Sequence, residues 1–286
     1  NQENVVPSTA STIKERNNAF FFEYSRLTPI GQVMAGLRYE HVNSDYYEQG
    51  VYSPAHSRTY NQWFPSLTFA TKIKKVGLQL SYSAKTSRPS YNQLGTNVEY
   101  MNRFTRQSGN PTLKPETLHN ITLVSSWNWF TFVANYTQTH NKIMYWNEQE
   151  STDENITNLR YRNFKRFPAL TLSLTAAPRM GVWSPQLTLF CQKQWFDIER
   201  LGSKLDLSKP VWGIQWDNSF EFRHDWTAEA NLKLTSKGMT ENAKLTRNNC
   251  TFDFSVRKAF LNNRLSVTVG VNDLFNRSAN QLLAMP

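Results

Sequence analysis

Cysteine is nearly absent from this 286-residue chain: only Cys191 and Cys250 occur. Two cysteines cannot make a disulfide framework. Each shares the parity of the apolar residues around it, Leu187 and Leu189 in one case, Phe252 and Phe254 in the other, so both read as small apolar side chains. No apolar run reaches the roughly 20 residues of a membrane helix, which excludes a helical membrane protein. Glycine is sparse at 11 residues, and no glycine-rich phosphate cradle or Gly-x-Ser-x-Gly elbow is present. The five histidines, His41, His56, His119, His140 and His224, are scattered without metal-ligand spacing. The acidic pairs Glu148/Glu150, Asp153/Glu154 and Asp197/Glu199 fall in long connections, where carboxylates are ordinarily solvated; calcium or substrate contact by residues 148–154 is only weakly signalled. The chain is expected to be no enzyme, with no cofactor and no metal. The first residues, Asn1-Gln2-Glu3, lack the charged and apolar regions of a signal peptide, so the chain reads as mature or as a piece of something longer.

What the chain does have is alternation. Leu78, Leu80, Tyr82 and Ala84 alternate with Gln79, Ser81 and Ser83, and Phe130, Phe132, Ala134 and Tyr136 with Thr131, Val133, Asn135 and Thr137. Leu170, Leu172, Leu174 and Ala176 do the same, as do Leu265, Val267, Val269 and Val271. A period of two places one set on each face of a β-strand. One face is oily and the other carries Thr, Ser, Asn and Gln. Twelve strands are expected, at 18–27, 31–43, 60–72, 76–86, 115–127, 129–139, 160–176, 184–195, 210–223, 226–236, 246–258 and 264–273. Their joins alternate short and long without a miss: 28–30, 73–75, 128, 177–183, 224–225 and 259–263 are short, whereas 44–59, 87–114, 140–159, 196–209 and 237–245 are long. Tight turns on one side and long loops on the other are the habit of outer-membrane barrels.

Aromatics make up 14% of the chain and gather near strand ends, at Trp127, Trp129, Tyr145, Trp146, Trp183, Trp195, Trp212 and Trp226. Rings with a polar edge favour the membrane–water boundary. The net charge of +10 is spread over strands and turns, with its densest group at Arg160, Arg162, Lys165 and Arg166. That group reads as a solvated strand end, or as a patch for an anionic substrate or lipopolysaccharide phosphates. No nucleic-acid motif accompanies it.

Three stretches carry a family likeness: SAKTSRPSYNQL (Ser83 to Leu94), GNPTLKPETLHN (Gly109 to Asn120) and VGVNDLFN (Val269 to Asn276). Together, in this order, they resemble the barrel of TonB-dependent outer-membrane receptors, in particular the outer-membrane β-barrel family of Bacteroides-type bacteria. The resemblance implies an all-β, antiparallel up-and-down transmembrane barrel of about twenty-two strands, of which residues 1–286 supply about twelve as a single barrel-domain fragment, without the plug domain and the closing strand. It implies residence in the bacterial outer membrane and energised import of a scarce nutrient: a metal chelate, a vitamin, an oligosaccharide or a peptide. The implied partners are outer-membrane lipid and lipopolysaccharide, the TonB energy-coupling complex through the missing N-terminal part, the nutrient itself and a surface lipoprotein. Loops 44–59, 87–114 and 140–159 are the expected capture surfaces, with exposed rings at Tyr46, Tyr47, Tyr52, Tyr100, Tyr145 and Trp146. The same rings could instead pack loop against loop. Two rivals stand beside this reading: a passive porin or structural barrel of twelve strands, and a soluble β-sandwich serving as a carbohydrate-binding or scaffold domain.

Overall fold

The computed structural model describes residues 11–95, 98–149, 157–200, 203–276 and 282–284. Twelve long strands follow one another in a single antiparallel sheet, each hydrogen-bonded to the next in sequence. They are β1 (Ser11–Thr28), β2 (Gly31–Glu48), β3 (Arg58–Ile73), β4 (Val76–Ser87), β5 (Glu116–Trp127), β6 (Phe130–Gln149), β7 (Thr157–Ala176), β8 (Trp183–Gln194), β9 (Val211–Phe222), β10 (Trp226–Thr235), β11 (Asn249–Phe260) and β12 (Leu265–Val271). Among the described residues, β1 pairs only with β2 on the meander and β12 only with β11, so the two edges do not meet.

Register sorts the side chains onto two faces. Leu80, Leu123, Ala134, Leu172, Cys191 and Trp212 lie in one cross-strand row, and Ser81, Thr122, Asn135, Thr171 and Gln192 in the next. Among the described residues nothing is packed over the apolar face: Leu80 is 50% exposed, Phe132 36% and Val269 72%. The polar face is bonded across strands. Asn135 Nδ2 donates to Asn120 Oδ1 (2.9 Å) and Thr122 Oγ1 (2.8 Å), and the Thr175 and Thr188 hydroxyls are 3.0 Å apart. A single sheet with a bare apolar face and a hydrogen-bonded polar face overturns the soluble sandwich, which needs a second layer over the apolar side chains. Both cysteines are free, and both lie on the apolar face, Cys191 opposite Leu172 and Cys250 opposite Leu234.

Exterior aromatics gather at two levels. Near the tight turns, Trp127 stacks on Phe130 and Trp183 on Phe220, with Phe222 and Trp226 beside them. Toward the long connections stand Trp63, Tyr82, Tyr136, Trp195 and Trp212, on β3, on β4, on β6, just past the end of β8 and on β9. Trp212 and Phe222 mark the two levels on β9, separated by about 33 Å of strand, or about 23 Å of height at a tilt near 45°. That matches the apolar band of an outer-membrane barrel. Several of the short turns use left-handed residues: Lys74 (φ 55°), Asn128 (φ 52°), His224 and Asp225 (φ 62° and 58°) and Leu261–Asn263 (φ 52–66°). Such turns match the twist of tightly joined strands.

Strand ends on the turn side fall close to expectation, as do the long-connection ends of β3, β4, β5, β8, β9 and β10; those of β1, β2 and β6 do not. β2 continues to Glu48 and β6 to Gln149, so Tyr46, Tyr47, Tyr145 and Trp146 are strand residues rather than loop residues. Beyond the membrane, water reaches both faces, alternation lapses, and Asn43-Ser44-Asp45-Tyr46-Tyr47-Glu48 carries no period of two. The long connections also hold short strands: Val51–Tyr52 on β2, the hairpins Val98–Asn102/Thr105–Ser108 and Asp197–Arg200/Ser203–Asp206, and Gly238–Thr240, Ala243–Leu245 and Leu282–Ala284 as a small sheet. Glu150, Asp153, Glu154 and the terminal Met285-Pro286 lie outside the described residues.

The two faces differ in their tolerance of charge. Leu80→Lys is expected to cost about 2–4 kcal/mol of stability in lipid, and Ser81→Lys close to nothing. Urea titration of each variant refolded into vesicles measures both.

Candidate functional site at the outer mouth

Residues 88–95 and 109–115 fold inward over the polar face at the outer end of the sheet. Arg88 anchors this loop. Its Nη1 lies 3.0 Å from Glu15 Oε1 on β1 and its Nη2 2.6 Å from Glu40 Oε2 on β2; Arg38 Nε donates to the other Glu40 oxygen at 2.7 Å. Glu40 is 9% exposed, and a buried carboxylate needs such partners. Ser90 then caps a one-turn helix, Tyr91–Leu94, through a reciprocal capping box with Gln93. Leu113, 3% exposed, helps line a small cavity with Tyr46, His56 and Tyr60 of the wall.

The far end of the loop is mounted on β7. Thr105–Ser108 runs parallel to Thr157–Arg160, using the β7 edge that stands above the end of β8. Gly109 passes so close to the helix that a Cβ there would sit 2.2 Å from the Gly95 carbonyl oxygen. Asn110 N donates to Gln93 O (2.6 Å), and its side-chain Nδ2 donates to Tyr161 O (2.9 Å). Asn163 closes the mount, accepting from Lys114 N (2.8 Å) and donating to Lys114 O (2.9 Å) and Asn141 O (2.7 Å). Pro111 and Pro115 stay outside the ladder, as their missing N–H requires, and β5 begins at Glu116. The GNPTLKPE stretch thus holds a loop in place, by named hydrogen bonds.

At Asn141 (φ 53°) the β6–β7 ladder skips a pair: His140 opposes Arg166 and Lys142 opposes Phe164. The left-handed residue exchanges the faces. Phe132 and Tyr136 point toward lipid, whereas Met144 and Trp146, of the same parity, pack with Phe167 and Phe196 on the inner side. Leu207 and Met239 from two outer connections complete this cluster. Gln194, 2% exposed, ties those connections together: Nε2 donates to Leu207 O and Glu241 O, both 2.7 Å, and Oε1 accepts from Glu241 N at 2.8 Å.

The six sequence-derived ligand candidates divide into groups. Tyr46 is 3% exposed with its ring 5.3 Å from His56, and Trp146 is 7% exposed with its ring against Phe164, so neither is the exposed aromatic face expected of it. Tyr47 is half-buried between the Lys14 ammonium and Tyr52, which is itself exposed. Tyr100 is exposed on the 98–108 hairpin. Tyr145, above the membrane band, packs against Tyr161 at 4.9 Å; burial first, then Tyr161 and Glu99, push its phenol above the ordinary range and keep it neutral. The structure joins Tyr47 to Tyr52 but turns Tyr46 to the opposite, inner face of β2, and Tyr145 and Trp146 likewise face opposite sides of β6.

The sequence reading missed the Glu15–Arg88–Glu40–Arg38 network and the groove below it. That groove encloses about 510 Å³ on the inner face, lined by Phe21, Glu23, Arg38, Phe64, Ser66 and Lys85 among others. Arg38 and Glu40, oppositely charged on the inner parity of one strand, were the available signal; the partnership with Arg88 depends on how the loop folds.

A meander with short turns at one end, an apolar outer band and a polar inner face defines an outer-membrane β-barrel wall. The chain belongs to the outer membrane protein beta-barrel family, whose model matches residues 2–283. Solved structures of the same fold include the siderophore receptor PirA from Pseudomonas aeruginosa, at 14% identity and a TM-score of 0.57 over 93% of this chain and 55% of that one. The FrpB iron transporter from Neisseria meningitidis is similar at 14% identity and a TM-score of 0.66 over 96% of this chain and 43% of that one. The Serratia marcescens hemophore receptor HasR, solved with its hemophore HasA and heme, shows 15% identity and a TM-score of 0.62 over 95% and 50%. These are barrels of the TonB-dependent receptor type, and the chain spans about half the length of each or less. No curated protein matches the sequence.

Arg88→Ala leaves two carboxylates without their shared cation. Amide hydrogen exchange over residues 88–95 is expected to rise at least tenfold, with β4 and β5 unchanged within twofold; equal acceleration in those strands would show that Arg88 supports the wall instead.

Proposed function

We propose that this chain forms part of the wall and outer mouth of an energised receptor importing a scarce nutrient across the outer membrane. The observation that carries the reading is the inward loop 88–115, pinned to the inner face by Arg88 and to β7 by Asn110 and Asn163. A mouth roofed by a fixed loop suits selective capture better than free diffusion. The related structures named for siderophore, iron and hemophore receptors support the same class of cargo, a metal chelate foremost, with a vitamin, oligosaccharide or peptide as the other chemistries such a mouth admits. The exposed rings of Tyr52 and Tyr100 and the half-buried Tyr47 and Tyr145 serve as stacking surfaces for planar or ring-bearing ligands; Tyr46 and Trp146 are buried against His56 and Phe164 instead.

In this reading the residues 1–286 are one barrel-domain segment of a receptor whose plug and closing strand lie in other parts of the protein. The TonB energy-coupling complex engages through the plug side, and a surface lipoprotein covers the mouth. The passive-porin alternative requires β1 to close on β12, and among the described residues these strands do not pair.

Uptake by intact cells carrying the complete receptor separates the two. Replacing Val98–Ser108 by a short Gly-Ser turn is expected to reduce uptake of the nutrient at limiting concentration by at least tenfold, while the barrel still shows heat-modifiable gel migration. Dissipating the proton gradient is expected to abolish the remaining uptake. Uptake that persists without the gradient and is unaffected by loop replacement would assign the chain to a passive pore.

A further inference from the structure

The lipid-facing wall changes character just above its apolar band on β4–β8. Tyr82 and Tyr136 mark the top of the band, and the next exterior positions carry His119, Gln138 and His140. On β7 the exterior series runs Leu172, Leu170, Pro168, Arg166, and on β8 it runs Cys191, Lys193, followed by Trp195. Over this height the exterior positions of β4–β8 contain no carboxylate.

The two cations are held rather than loose. Gln138 is 8% exposed, unusual for a polar side chain on the outside of a barrel, and its Oε1 accepts from Arg166 Nε at 2.8 Å and from the Tyr136 hydroxyl at 3.4 Å. That bond draws the guanidinium down beside the Gln138–Pro168 row and leaves its two terminal nitrogens without a partner among the described residues. Lys193 comes to the same row from the other side, its ammonium 5.5 Å over the Trp195 ring, and Trp195 N bonds to Pro168 O at 3.0 Å. Gln138 and Trp195 are two strands apart, so the two cations flank Pro168 at a separation of about 10 Å. Neither makes an ion pair among the described residues. The nearby hairpin carboxylates have their own partners: Asp197 is 2.8 Å from Lys204, and Asp206 accepts from Ser208 N, although it also feels the charge of Lys193. The Tyr82 hydroxyl and His119 Nδ1, 2.9 Å apart, extend the polar surface.

We propose that Arg166 and Lys193 form a binding site for the phosphate of a phosphorylated glycolipid in the outer leaflet. The chains of such a lipid lie along the apolar rows of β5–β8, which places its headgroup at the height of Pro168. A guanidinium with two terminal nitrogens available matches phosphate oxygens bidentately, and the ammonium supplies a second point charge. Gln138 is a positioning residue: it fixes the guanidinium by its side-chain oxygen. The site stands on the exterior face, independent of the nutrient mouth.

Native mass spectrometry of the complete receptor in neutral detergent tests the assignment, with diphosphorylated lipid A as probe and its dephosphorylated form as control. Wild-type protein is expected to retain the diphosphorylated lipid, with retention falling about fivefold for K193Q and about thirtyfold for R166Q/K193Q. Retention of the dephosphorylated lipid is expected to be weak and unchanged by these substitutions. K258Q removes a lysine over Trp226 at the opposite membrane boundary and is expected to have no effect. Equal retention by wild type and the surface variant K193Q, equal retention of both lipid forms, or a loss in K258Q as large as in K193Q would overturn the site.

Discussion

A backbone in hydrocarbon must satisfy every N–H and C=O within the protein, and the whole architecture follows from that demand. An antiparallel meander meets it strand by strand for β2 to β11, each paired on both sides, and leaves one edge of β1 and one of β12 unpaired among the described residues. Once the backbone is satisfied, side chains need only match two surroundings, lipid on one face and a polar interior on the other. This is why Leu80, Leu123, Leu172 and Trp212 share a row while Ser81, Thr122 and Thr171 share the adjacent one. It also explains why the free cysteines can sit among Leu and Trp without chemical consequence, and why aromatic residues with a polar edge collect at the two boundaries.

Where the strands leave the membrane the demand relaxes, and specific side-chain contacts take over. The loop 88–115 is held at one end by a buried ion network and at the other by amide bonds to β7. One left-handed residue, Asn141, turns Met144 and Trp146 from the lipid side to the inner side and so makes a packed cluster at the mouth. Gln194 links two further connections to the same wall. The mouth is therefore built, with its polar and aromatic groups in fixed places, above a wall that is uniform. The proposed capture function belongs to the first region and membrane residence to the second.

The wall was legible because a single rule governs it. A period of two, tight turns and the placement of Trp127, Trp183 and Trp226 located the short-turn ends closely, and the GNPTLKPE and NDLFN stretches pointed to the family that the match over residues 2–283 establishes. The mouth was not legible, because it obeys no period. The extensions of β2 through Asp45-Tyr46-Tyr47 and of β6 through Met144-Tyr145-Trp146 read as loops once both faces met water. The burial of Tyr46 and Trp146 depends on contacts with His56 and Phe164 that no local pattern announces. Arg88 lies 73 residues from Glu15 and 48 from Glu40, so their ion pairs are a product of loop folding rather than of spacing.

The claim beneath all of this is that alternate residues of one strand touch lipid and polar interior. Spin labels placed singly at each position of β4, from Val76 to Ser87, in the complete receptor reconstituted in vesicles, measure it directly. Accessibility to oxygen should peak at Leu78, Leu80 and Tyr82, and accessibility to a polar nickel reagent should be lowest at those same positions. An oxygen profile with no period of two, or one with its maxima at Gln79, Ser81 and Ser83, would contradict the account.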